Sequence, residues 1–335
     1  MKAVGCKQAR SMEEGNLIID MELPTPQATG HDILVEIKAI AVNPIDYKVR
    51  LRTRLQENQY RIVGWDAAGI VKETGENVTL FKPGDEVWYS GDLMRPGCNS
   101  EFQLVDERIV SLKPKSLSFE QAAALPLTTL TAWELLFDRL NVTSKTQALL
   151  LVVGAGGGVG SILVQLARQL TQLTIIGTAS RDESRQWVKD NGAHYIIDHT
   201  QPLFQQLTDL DIGEVDYVAC LTHSEDHAPE LAKCLKPQGK LGLIDDPARF
   251  DIRLFKLKSI SLHWESMFTR SFYKTEDMIK QHQILKKVAK LVDQGVIQTT
   301  INENFGLINA QNLNLAHSSL LNEHTRGKIV LSGFY

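Results

Sequence analysis

The feature that most limits what this chain can fold into is an apolar strand pattern that runs directly into a glycine-rich turn. The run ALLLVVG (148–154) is typical of a strand that is covered on both faces, as in a parallel sheet. It is followed by AGGGVG (155–160) and then by SILVQLARQL (161–170), which has the pattern of an apolar helix. Glycines at such a turn let backbone N–H groups approach a pyrophosphate at the start of the helix. The order strand, turn, helix therefore predicts a dinucleotide-binding loop.

Three small residues are needed in such a loop, for the tight turn, for the approach of the cofactor and for close packing of the helix. Ala155, Gly157 and Gly160 fit these three positions best. We expect the whole turn to contact the cofactor, and its residues are Ala155, Gly156, Gly157, Gly158, Val159 and Gly160.

Two different patterns lie on either side of Ser118. Before it, strand-like stretches such as ILVEIKAIAV (33–42) are separated by turns, which predicts a compact antiparallel β region. After it, FEQAAALPLTTLTAWELLF (119–137) predicts a helix that is interrupted at Pro126, and apolar strands then alternate with helices. This alternation predicts an α/β fold with a parallel, doubly wound sheet. The segments concerned, with the helix and the strand that end the chain, are LTIIGTAS (173–180), ESRQWVKDNG (183–192), HYIID (194–198), VDYVACLT (215–222), GKLGLID (239–245), MIKQHQILKKVAKLVDQG (278–295) and GKIVLSGF (327–334).

The end of the second strand of this sheet indicates which nucleotide fits. NAD sites place an Asp or Glu there to hold the ribose 2′-OH, whereas this strand ends in Ala179-Ser180-Arg181, and only then do Asp182 and Glu183 follow. The Ser180 hydroxyl can donate a hydrogen bond, and the Arg181 guanidinium can pair with a 2′-phosphate. The sequence therefore favours NADPH over NADH. The alternative is an ordinary helix N-cap followed by a solvated arginine.

Length and charge narrow the remaining possibilities. With 335 residues the chain is long enough for about two domains. Its net charge is −4, from 36 basic and 40 acidic side chains, and we find no long run of Lys or Arg, which disfavours nucleic acid and membrane surfaces as partners. The N-terminus lacks the pattern of a secretory signal and the four cysteines lack CxxC spacing. We therefore expect a cytoplasmic protein with reduced thiols.

Six strings together resemble the medium-chain dehydrogenase/reductase superfamily and, within it, the zinc-free quinone oxidoreductase branch. They are AVNPID (41–46), GWDAAGIV (64–71), FKPGDEVW (81–88), AAALPLTTLTAW (122–133), GAGGGVGS (154–161) and RGKIVL (326–331). The segment LHWESMFTRSFYKTEDMIKQH (262–282) is similar to a bacterial subgroup known as zinc-type alcohol dehydrogenase-like. The resemblance covers nearly the whole chain and is much more specific than the glycine turn alone.

The resemblance implies a Rossmann domain and a GroES-like distorted β-barrel catalytic domain that is split in sequence. The first part of the catalytic domain would span residues 1–122, the NADP-binding Rossmann domain 123–268, and the second catalytic part 269–335. The cleft between the domains would hold the nicotinamide and the substrate. The last Rossmann strand, SISLHWE (259–265), would pair with its counterpart in a homodimer.

The residues at the zinc-ligand positions of related dehydrogenases do not form a catalytic zinc set in this chain. Zinc-using relatives have Cys where this chain has Asn43, and His-Glu where it has Trp65-Asp66, and their third ligand falls near Pro126-Leu127. A catalytic zinc needs three N, S or O protein ligands that converge on an open position, and at most Asp66 could serve. We therefore expect no metal, with Trp65 filling the vacant metal site.

Without a Lewis acid nothing stabilises an alkoxide, so that reduction of a conjugated double bond or a quinone is easier than oxidation of a simple alcohol. Such a reduction needs a hydrogen-bond donor near the carbonyl and then a proton. Tyr47, which follows the NPID string, is the candidate donor, and Asp46 is the second candidate catalytic residue. The alternatives are that Tyr47 is a core or rim residue and that Asp46 is a structural helix cap.

The resemblance implies further cofactor contacts outside the glycine turn. Asn43 and Ile45 would lie near the nicotinamide ribose, Thr129 beside the nicotinamide, and His199 at the 2′-phosphate. Lys328 would lie near the pyrophosphate. The residues along the ends of later strands are Leu221, Thr222, Leu243 and Ile244. Phe268 is expected to contact the cofactor and, with Phe272, to line the substrate pocket. The ordinary alternatives are a satisfied helix hydroxyl for Thr129, a surface histidine for His199, and core packing for Phe268 and Phe272.

These observations lead to one expected activity and two alternatives. The expected activity is NADPH-dependent reduction of a small quinone, enone or aldehyde without catalytic zinc. The alternatives are a zinc-type alcohol dehydrogenase and a non-catalytic NADPH-binding sensor.

Overall fold

A computed structural model describes residues 1–8, 17–56, 58–322 and 325–334. The chain forms two compact units. Unit 1 contains Met1–Leu127 together with Phe268–Tyr335, and unit 2 contains Thr128–Met267. The domain limits predicted from the sequence, at 122/123 and 268/269, stay a prediction.

The strands are numbered in chain order. They are β1 (Lys2–Lys7), β2 (Leu17–Glu22), β3 (Asp32–Ala41), β4 (Tyr60–Ile62), β5 (Asp66–Thr74), β6 (Glu86–Ser90), β7 (Phe102–Asp106), β8 (Val110–Leu112), β9 (Leu149–Val153), β10 (Thr174–Thr178), β11 (Tyr195–Ile197), β12 (Val215–Cys220), β13 (Leu235–Leu243), β14 (Ser261–Trp264), β15 (Ile301–Asn304) and β16 (Lys328–Ser332).

The helices are numbered in the same way. They are α1 (Pro44–Arg52), α2 (Phe119–Ala123), α3 (Pro126–Trp133), α4 (Gly158–Leu170), α5 (Asp182–Asp190), α6 (Leu203–Asp209), α7 (Ser224–Cys234), α8 (Thr269–Phe272), α9 (Lys280–Asp293) and α10 (Ala310–Leu321). A π-helical turn, Glu134–Arg139, continues α3, and short 3₁₀ turns occur at Glu107–Ile109 and Ile252–Phe255.

Unit 1 is built on two sheets whose strands pair antiparallel except for β15 and β16. The smaller sheet has the order β2-β1-β4, and the larger has the order β15-β16-β3-β5-β6-β8, with β7 also paired to β3. In the larger sheet Val330 of β16 lies opposite Ala41 of β3. The last strand of the chain is therefore part of the sheet that the N-terminal segment begins. This pairing explains why unit 1 is discontinuous in sequence.

Unit 2 is a six-stranded parallel sheet with the order β11-β10-β9-β12-β13-β14. The chain begins in the middle at β9, moves outward to β11 and then returns to β12, so that the switch point lies between β9 and β12. Ligands of such sheets bind at the carboxyl ends of the strands beside this point. Leu150, Leu151 and Val152 of β9 are fully buried, as their uninterrupted apolar run predicts.

The predicted fold class, a Rossmann sheet plus an antiparallel GroES-like domain, is confirmed. The predicted break at Pro126 is also confirmed, because α2 ends before this residue and α3 begins with it. Gly295 follows the end of α9 with φ +73°, the left-handed conformation that glycine adopts after a helix. Among the described residues no helix is both long enough and apolar enough to cross a membrane.

Candidate functional site

The turn between β9 and α4 can be built only with glycine at two of its positions. Gly154 has φ +83°, and a Cβ there would also lie 3.1 Å from Thr222 Cγ2. A Cβ at Gly160 would collide with the carbonyl oxygen of Gly154 and lie 2.6 Å from the Cα of Ala155. Gly160 therefore lets α4 pack directly on the turn.

The predicted cofactor loop fits a pyrophosphate in its local structure. Gly157 is the N-cap of α4, and the helix begins at Gly158. The first N–H groups of a helix have no partner within it, and the helix dipole favours a negative charge beside them. Thr178 of β10 accepts a hydrogen bond from the N–H of Gly154 through its hydroxyl (3.1 Å), which fixes the turn on the neighbouring strand.

The carboxyl ends of the parallel strands bring most of the other predicted cofactor residues of unit 2 to one edge. Ser180 and Arg181 follow β10, His199 follows β11, Leu221 and Thr222 follow β12, and Leu243 and Ile244 end or follow β13. Leu243 is buried, whereas Arg181 and His199 are exposed. The N-cap of α5 is Arg181, and its side chain does not cap the helix.

Thr129 lies on α3 at the start of unit 2. Its side chain is fully buried, and its hydroxyl has no hydrogen-bond partner in the protein. A buried polar group without a partner is uncommon and calls for a physical reason. A ligand group that hydrogen-bonds to this hydroxyl would supply one, as the cofactor role predicted for Thr129 requires.

The three segments that carry zinc ligands in related dehydrogenases converge in unit 1. The Asn43 side-chain amide donates a hydrogen bond to Asp66 Oδ2 (2.9 Å), and the Leu127 N–H donates one to Asp66 Oδ1 (2.8 Å). Asn43 and Asp66 are almost completely buried. The segments that the resemblance aligned with zinc ligands thus contact each other through Asp66, and their former or present role in metal binding is not implied by these contacts.

The ammonium of Lys328 lies among these segments. It donates hydrogen bonds to the Val42 carbonyl (2.8 Å), to Asp66 Oδ2 (3.0 Å) and to the Asn43 side-chain oxygen. Lys328 is only 3% exposed. Its charge is balanced by the carboxylate of Asp66, which is also buried. Burial raises the pKa of Asp66, and the Lys328 ammonium and the Asn43 amide act against that shift. Both members of the pair thus have polar partners besides each other.

This arrangement does not fit a zinc ion. Both oxygens of Asp66 already accept hydrogen bonds, and an ammonium lies beside them. In the part of the chain that the structure describes, no group of three or more His, Cys, Asp or Glu residues could hold a metal. The expectation that Trp65 fills the metal position stays a prediction. Its indole N–H donates to the Asp92 carbonyl (3.0 Å), its ring packs edge-on against Phe268, and the ammonium of Lys328 takes the place among the three segments.

The two candidate catalytic residues lie side by side on α1. Asp46 Oδ2 accepts the Asn43 N–H (2.9 Å), while Asp46 Oδ1 is buried and has no partner. Burial raises the pKa of Asp46 to about 7, against the opposing effects of the Asn43 N–H and of Lys328. This carboxyl can therefore carry a proton near neutral pH. Tyr47 and Ile45 are half-buried on the same helix.

The two phenylalanines of the predicted pocket have different surroundings in unit 1. Phe268 is buried against Trp65, with ring centroids 6.3 Å apart, whereas Phe272 is 41% exposed and contacts Tyr273. In this structure the ammonium of Lys328 donates to three protein acceptors. The pyrophosphate contact predicted for Lys328 stays a prediction.

Sequence reasoning missed two features of these sites. One is the Lys328–Asp66 ion pair, whose only sequence signal is a charged residue at the first position of each of two strands. The other is a pair of histidines, His223 and His227, at the start of α7 on the strand-end edge of unit 2. The spacing of two histidines by four residues directly after a strand could have revealed them.

Two family profiles match the chain. The profile "Alcohol dehydrogenase GroES-like domain" matches residues 29–115, and "Zinc-binding dehydrogenase" matches residues 191–331. A zinc-type alcohol dehydrogenase-like protein of Staphylococcus epidermidis is 36% identical over 338 residues, which cover 99% of each chain. A 2-methylene-furan-3-one reductase of Solanum lycopersicum is 35% identical over 203 residues, which cover 58% of this chain and 51% of the relative.

Solved structures give the same picture of the fold. A Rhizobium etli protein with a provisional assignment as a zinc-dependent alcohol dehydrogenase is 50% identical, with a TM-score of 0.95 over 100% of this chain and 98% of that chain. The Escherichia coli quinone oxidoreductase in complex with NADPH is 23% identical, with a TM-score of 0.83 over 99% of each chain, and this likeness is one of fold. The glycine turn, the split unit 1 and these relatives agree, and the chain belongs to the medium-chain dehydrogenase/reductase superfamily of oxidoreductases.

Proposed function

We propose that this oxidoreductase uses NADPH to reduce a small quinone or α,β-unsaturated carbonyl compound without catalytic zinc. The observation that carries the proposal is the donor set at the place of the zinc ligands. Asn43, Asp66 and Leu127 meet there, and the ammonium of Lys328 is bound among them. An ammonium can neutralise charge but cannot bind a substrate oxygen as a Lewis acid does.

The residues of unit 2 support a nicotinamide dinucleotide as cofactor. The N-terminus of α4 would hold the pyrophosphate, and the unpartnered Thr129 hydroxyl offers a hydrogen bond on the nicotinamide side. When bound, the cofactor supplies a hydride. Ser180 and Arg181 follow β10, where NAD-binding proteins have a carboxylate for the ribose 2′-OH. They are therefore the basis for NADPH rather than NADH, and the quinone oxidoreductase of the same fold was solved with NADPH.

The substrate class follows from what unit 1 can offer to a reacting carbonyl. The Tyr47 hydroxyl can donate a hydrogen bond to the substrate oxygen. The Asp46 carboxyl holds a proton near neutral pH and can replace one that the substrate takes up. Enones and quinones need little more than this, because conjugation spreads the charge that forms on hydride addition. The tomato relative is named for the reduction of a methylene-furanone, which is consistent with this class.

The proposal also includes a homodimer. β14 is at the edge of the six-stranded sheet, and Trp264 at its end is 52% exposed. Earlier in the sequence, before β14, Leu257 is 97% exposed and Ile252 is 66% exposed. The edge strand of a sheet is a template for pairing with a second strand.

The test is the oxidation of NADPH and NADH by EDTA-treated protein in the presence of a panel of quinones, enones and aldehydes. We expect turnover that survives chelation, that prefers NADPH and that falls in Tyr47→Phe. About one zinc ion per chain, together with loss of turnover after chelation, would support a zinc-type alcohol dehydrogenase instead. Tight NADPH binding without turnover of any acceptor would support a non-catalytic sensor.

A further inference from the structure

Two glutamates of unit 2 are buried beside one arginine. Glu134 is the first residue of the π-helical turn that continues α3, and Glu265 directly follows β14. Arg139 ends the same turn, and its Nε lies 2.8 Å from Glu265 Oε2 while its Nη2 lies 3.9 Å from Glu134 Oε2. Neither glutamate side chain has exposed surface, whereas that of Arg139 is 32% exposed. Two buried carboxyl groups therefore share one positive charge.

The charges of this cluster balance only when one carboxyl group keeps a proton. With both ionised, one negative charge would be buried without a counter-ion, which is costly. Burial and then repulsion by Glu134 raise the pKa of Glu265 to about 8, against the opposing effect of Arg139. A hydrogen bond with the Glu134 carboxyl contributes to this shift. The pair therefore holds one proton at neutral pH, as carboxyl groups that share a site do.

Neighbouring charged groups on the described parts of β13, β14 and the π-helical turn do not replace this proton. Burial, with the charges of Lys240 and Arg139, lowers the pKa of His263 on β14, so that its ring is neutral above neutral pH. The ammonium of Lys240 on β13 donates to the Leu140 carbonyl (2.8 Å). Asp138, on the π-helical turn, is acidic and half-buried. Arg139 is thus the cation that contacts the pair.

The pair connects two elements that carry predicted cofactor residues. Thr129, whose buried hydroxyl has no partner in the protein, is on α3, and the turn that begins with Glu134 continues this helix. The N–H of Glu265 donates to the carbonyl of Leu243 (2.9 Å), which ends β13. The contact between the two carboxyl groups therefore links the end of α3 to the ends of β13 and β14.

The π-helical turn also packs tightly on β13. A Cβ at Gly242 would lie 2.5 Å from Leu135 Cδ1 and 3.5 Å from Leu140 Cδ2, so that only glycine allows this close approach. The Leu140 N–H donates to the Leu135 carbonyl (2.9 Å), the spacing of a π-helical bond. Turns of this kind within α-helices are frequent at functional sites. The position of α3 relative to β13 therefore depends on this turn.

We propose that Glu134 and Glu265 position the nicotinamide side of the cofactor site through the single proton that they share. This inference rests on the proposed use of a nicotinamide dinucleotide. With one proton the two carboxyl groups attract each other, and α3 stays close to the strand ends. Without it two carboxylates repel each other at short distance, and Thr129 and Leu243 move apart. The affinity for the dinucleotide therefore decreases as the pH rises above neutral.

The test is the affinity of the full chain for NADPH, NADH and 5′-AMP at about pH 7 and pH 9. We expect the Kd of both dinucleotides to rise by about tenfold over this range, because the pair loses its proton. The Kd of 5′-AMP, which lacks the nicotinamide, should change by less than about threefold.

Two glutamine variants and a control assign this effect to the pair. Glu134→Gln keeps a hydrogen-bond donor and leaves one ionised carboxyl group for Arg139, so that the Kd of each dinucleotide should be nearly equal at the two pH values. Glu265→Gln, which also leaves one carboxyl group, is a second variant with the same expectation. Glu230→Gln, at a half-buried glutamate on α7 that pairs with Lys233 (2.7 Å), is the matched control and should keep the pH dependence.

Thermal unfolding gives a second measurement that needs no nucleotide. The pKa of a glutamate in the unfolded chain is about 4.3, whereas that of Glu265 is raised in the folded state. The folded state therefore binds the proton more tightly, and this stabilisation is lost as the pH rises toward about 8. The melting temperature of the unchanged protein should decrease more between about pH 6 and pH 9 than that of Glu134→Gln.

The outcomes separate this inference from the proposed function. If both glutamine variants keep the pH dependence of dinucleotide binding, or if 5′-AMP binding weakens as much as NADPH binding, the positioning role is wrong and the proposed function stands. If NADH binds as tightly as NADPH and the glutamine variants still remove the pH dependence, the preference for NADPH is wrong and the positioning role stands. A chain that binds neither dinucleotide would contradict both.

Discussion

Lys328 and Asp66 carry opposite charges and are almost completely buried in unit 1. Each charge has neutral polar partners as well, the Val42 carbonyl and Asn43 oxygen for the ammonium and the Asn43 and Leu127 N–H groups for the carboxylate. Taking two ions out of water is costly, and only an arrangement with such additional hydrogen bonds offsets the cost. Removal of one member of the pair should therefore lower the free energy of unfolding more than removal of both.

Lys328→Met should leave the Asp66 carboxylate buried without its counter-ion. The expected loss is about 3–5 kcal/mol in the free energy of unfolding, measured by urea denaturation. Lys328→Met combined with Asp66→Asn should recover much of this loss. Lys38→Met, at a half-exposed pair with Glu36, is the control and should cost less than about 1 kcal/mol. If Lys328→Met and Lys38→Met lowered the free energy of unfolding equally, the expected effect of burial would be contradicted.

His317 should make the protein sensitive to acid. Its ring is fully buried on α10, neither nitrogen has a partner, and burial, with a smaller effect of Arg50, lowers its pKa to about 3. In the unfolded chain the pKa is about 6.5. The unfolded state therefore binds the proton first, and stability is lost as the pH falls from about 6.5 toward 3.

His317→Leu should remove this part of the acid sensitivity. Thermal unfolding of the variant and of the unchanged protein at about pH 7 and pH 4.5 should show a smaller loss for the variant, by about 2–3 kcal/mol. His31→Leu, at a half-exposed site, serves as the comparison. An unchanged loss in His317→Leu would mean that other groups cause the acid sensitivity.

At the scale of elements, the turn before α4 separates two roles of glycine. A Cβ at Gly160 would meet the backbone of Gly154 and Ala155, whereas a Cβ at Gly157 would lie 3.5 Å from the Gly154 oxygen, which is ordinary contact. Gly160→Ala should therefore lower the melting temperature as well as NADPH affinity. Gly157→Ala should leave the melting temperature nearly unchanged and weaken NADPH binding, because this position is expected to face the pyrophosphate. Calorimetry and a binding titration on both variants test these expectations. Equal melting temperatures of Gly160→Ala and Gly157→Ala would contradict the separation of the two roles.

The elements that the sequence predicted well are those with a local signal. The buried run of β9 and the glycine turn need only neighbouring residues to be recognised, and β10 to β13 follow in the same alternation. Helix α1 was not predicted, because its only buried residue is Asp46 and it has no apolar face. Its signal is at its start, where Asn43 precedes Pro44 and Asp46 occupies the third helical position.

At the scale of the whole molecule, the site in unit 1 depends on residues that are far apart in sequence. The contact between Lys328 and Asn43 spans 285 residues, and it exists because β16 pairs with β3 in one particular register. No local pattern specifies that register. The sequence therefore singled out Asn43, Asp66 and Leu127 but did not predict that the Lys328 ammonium lies among them.

The proposed dimer can be tested at the same scale. Light scattering after gel filtration should give twice the mass of one chain. Trp264→Glu, at the end of β14, should shift the protein toward monomers, because like charges would face each other across the interface. Tyr273→Glu, at an even more exposed aromatic position in unit 1, should remain dimeric. A monomer at micromolar concentration without any change would contradict the proposed pairing.

The position of β16 within the sheet of unit 1 determines the order in which the chain can fold during synthesis. Residues 1–127 leave the ribosome well before Lys328–Ser332, so that the Ala39–Ala41 edge of β3 has no partner while the rest of the chain is made. Unit 2 is continuous in sequence and can close its core first. A nascent chain that stops before residue 328 therefore carries a complete unit 2 and an open sheet edge, which is a surface prone to aggregation and suited to chaperones.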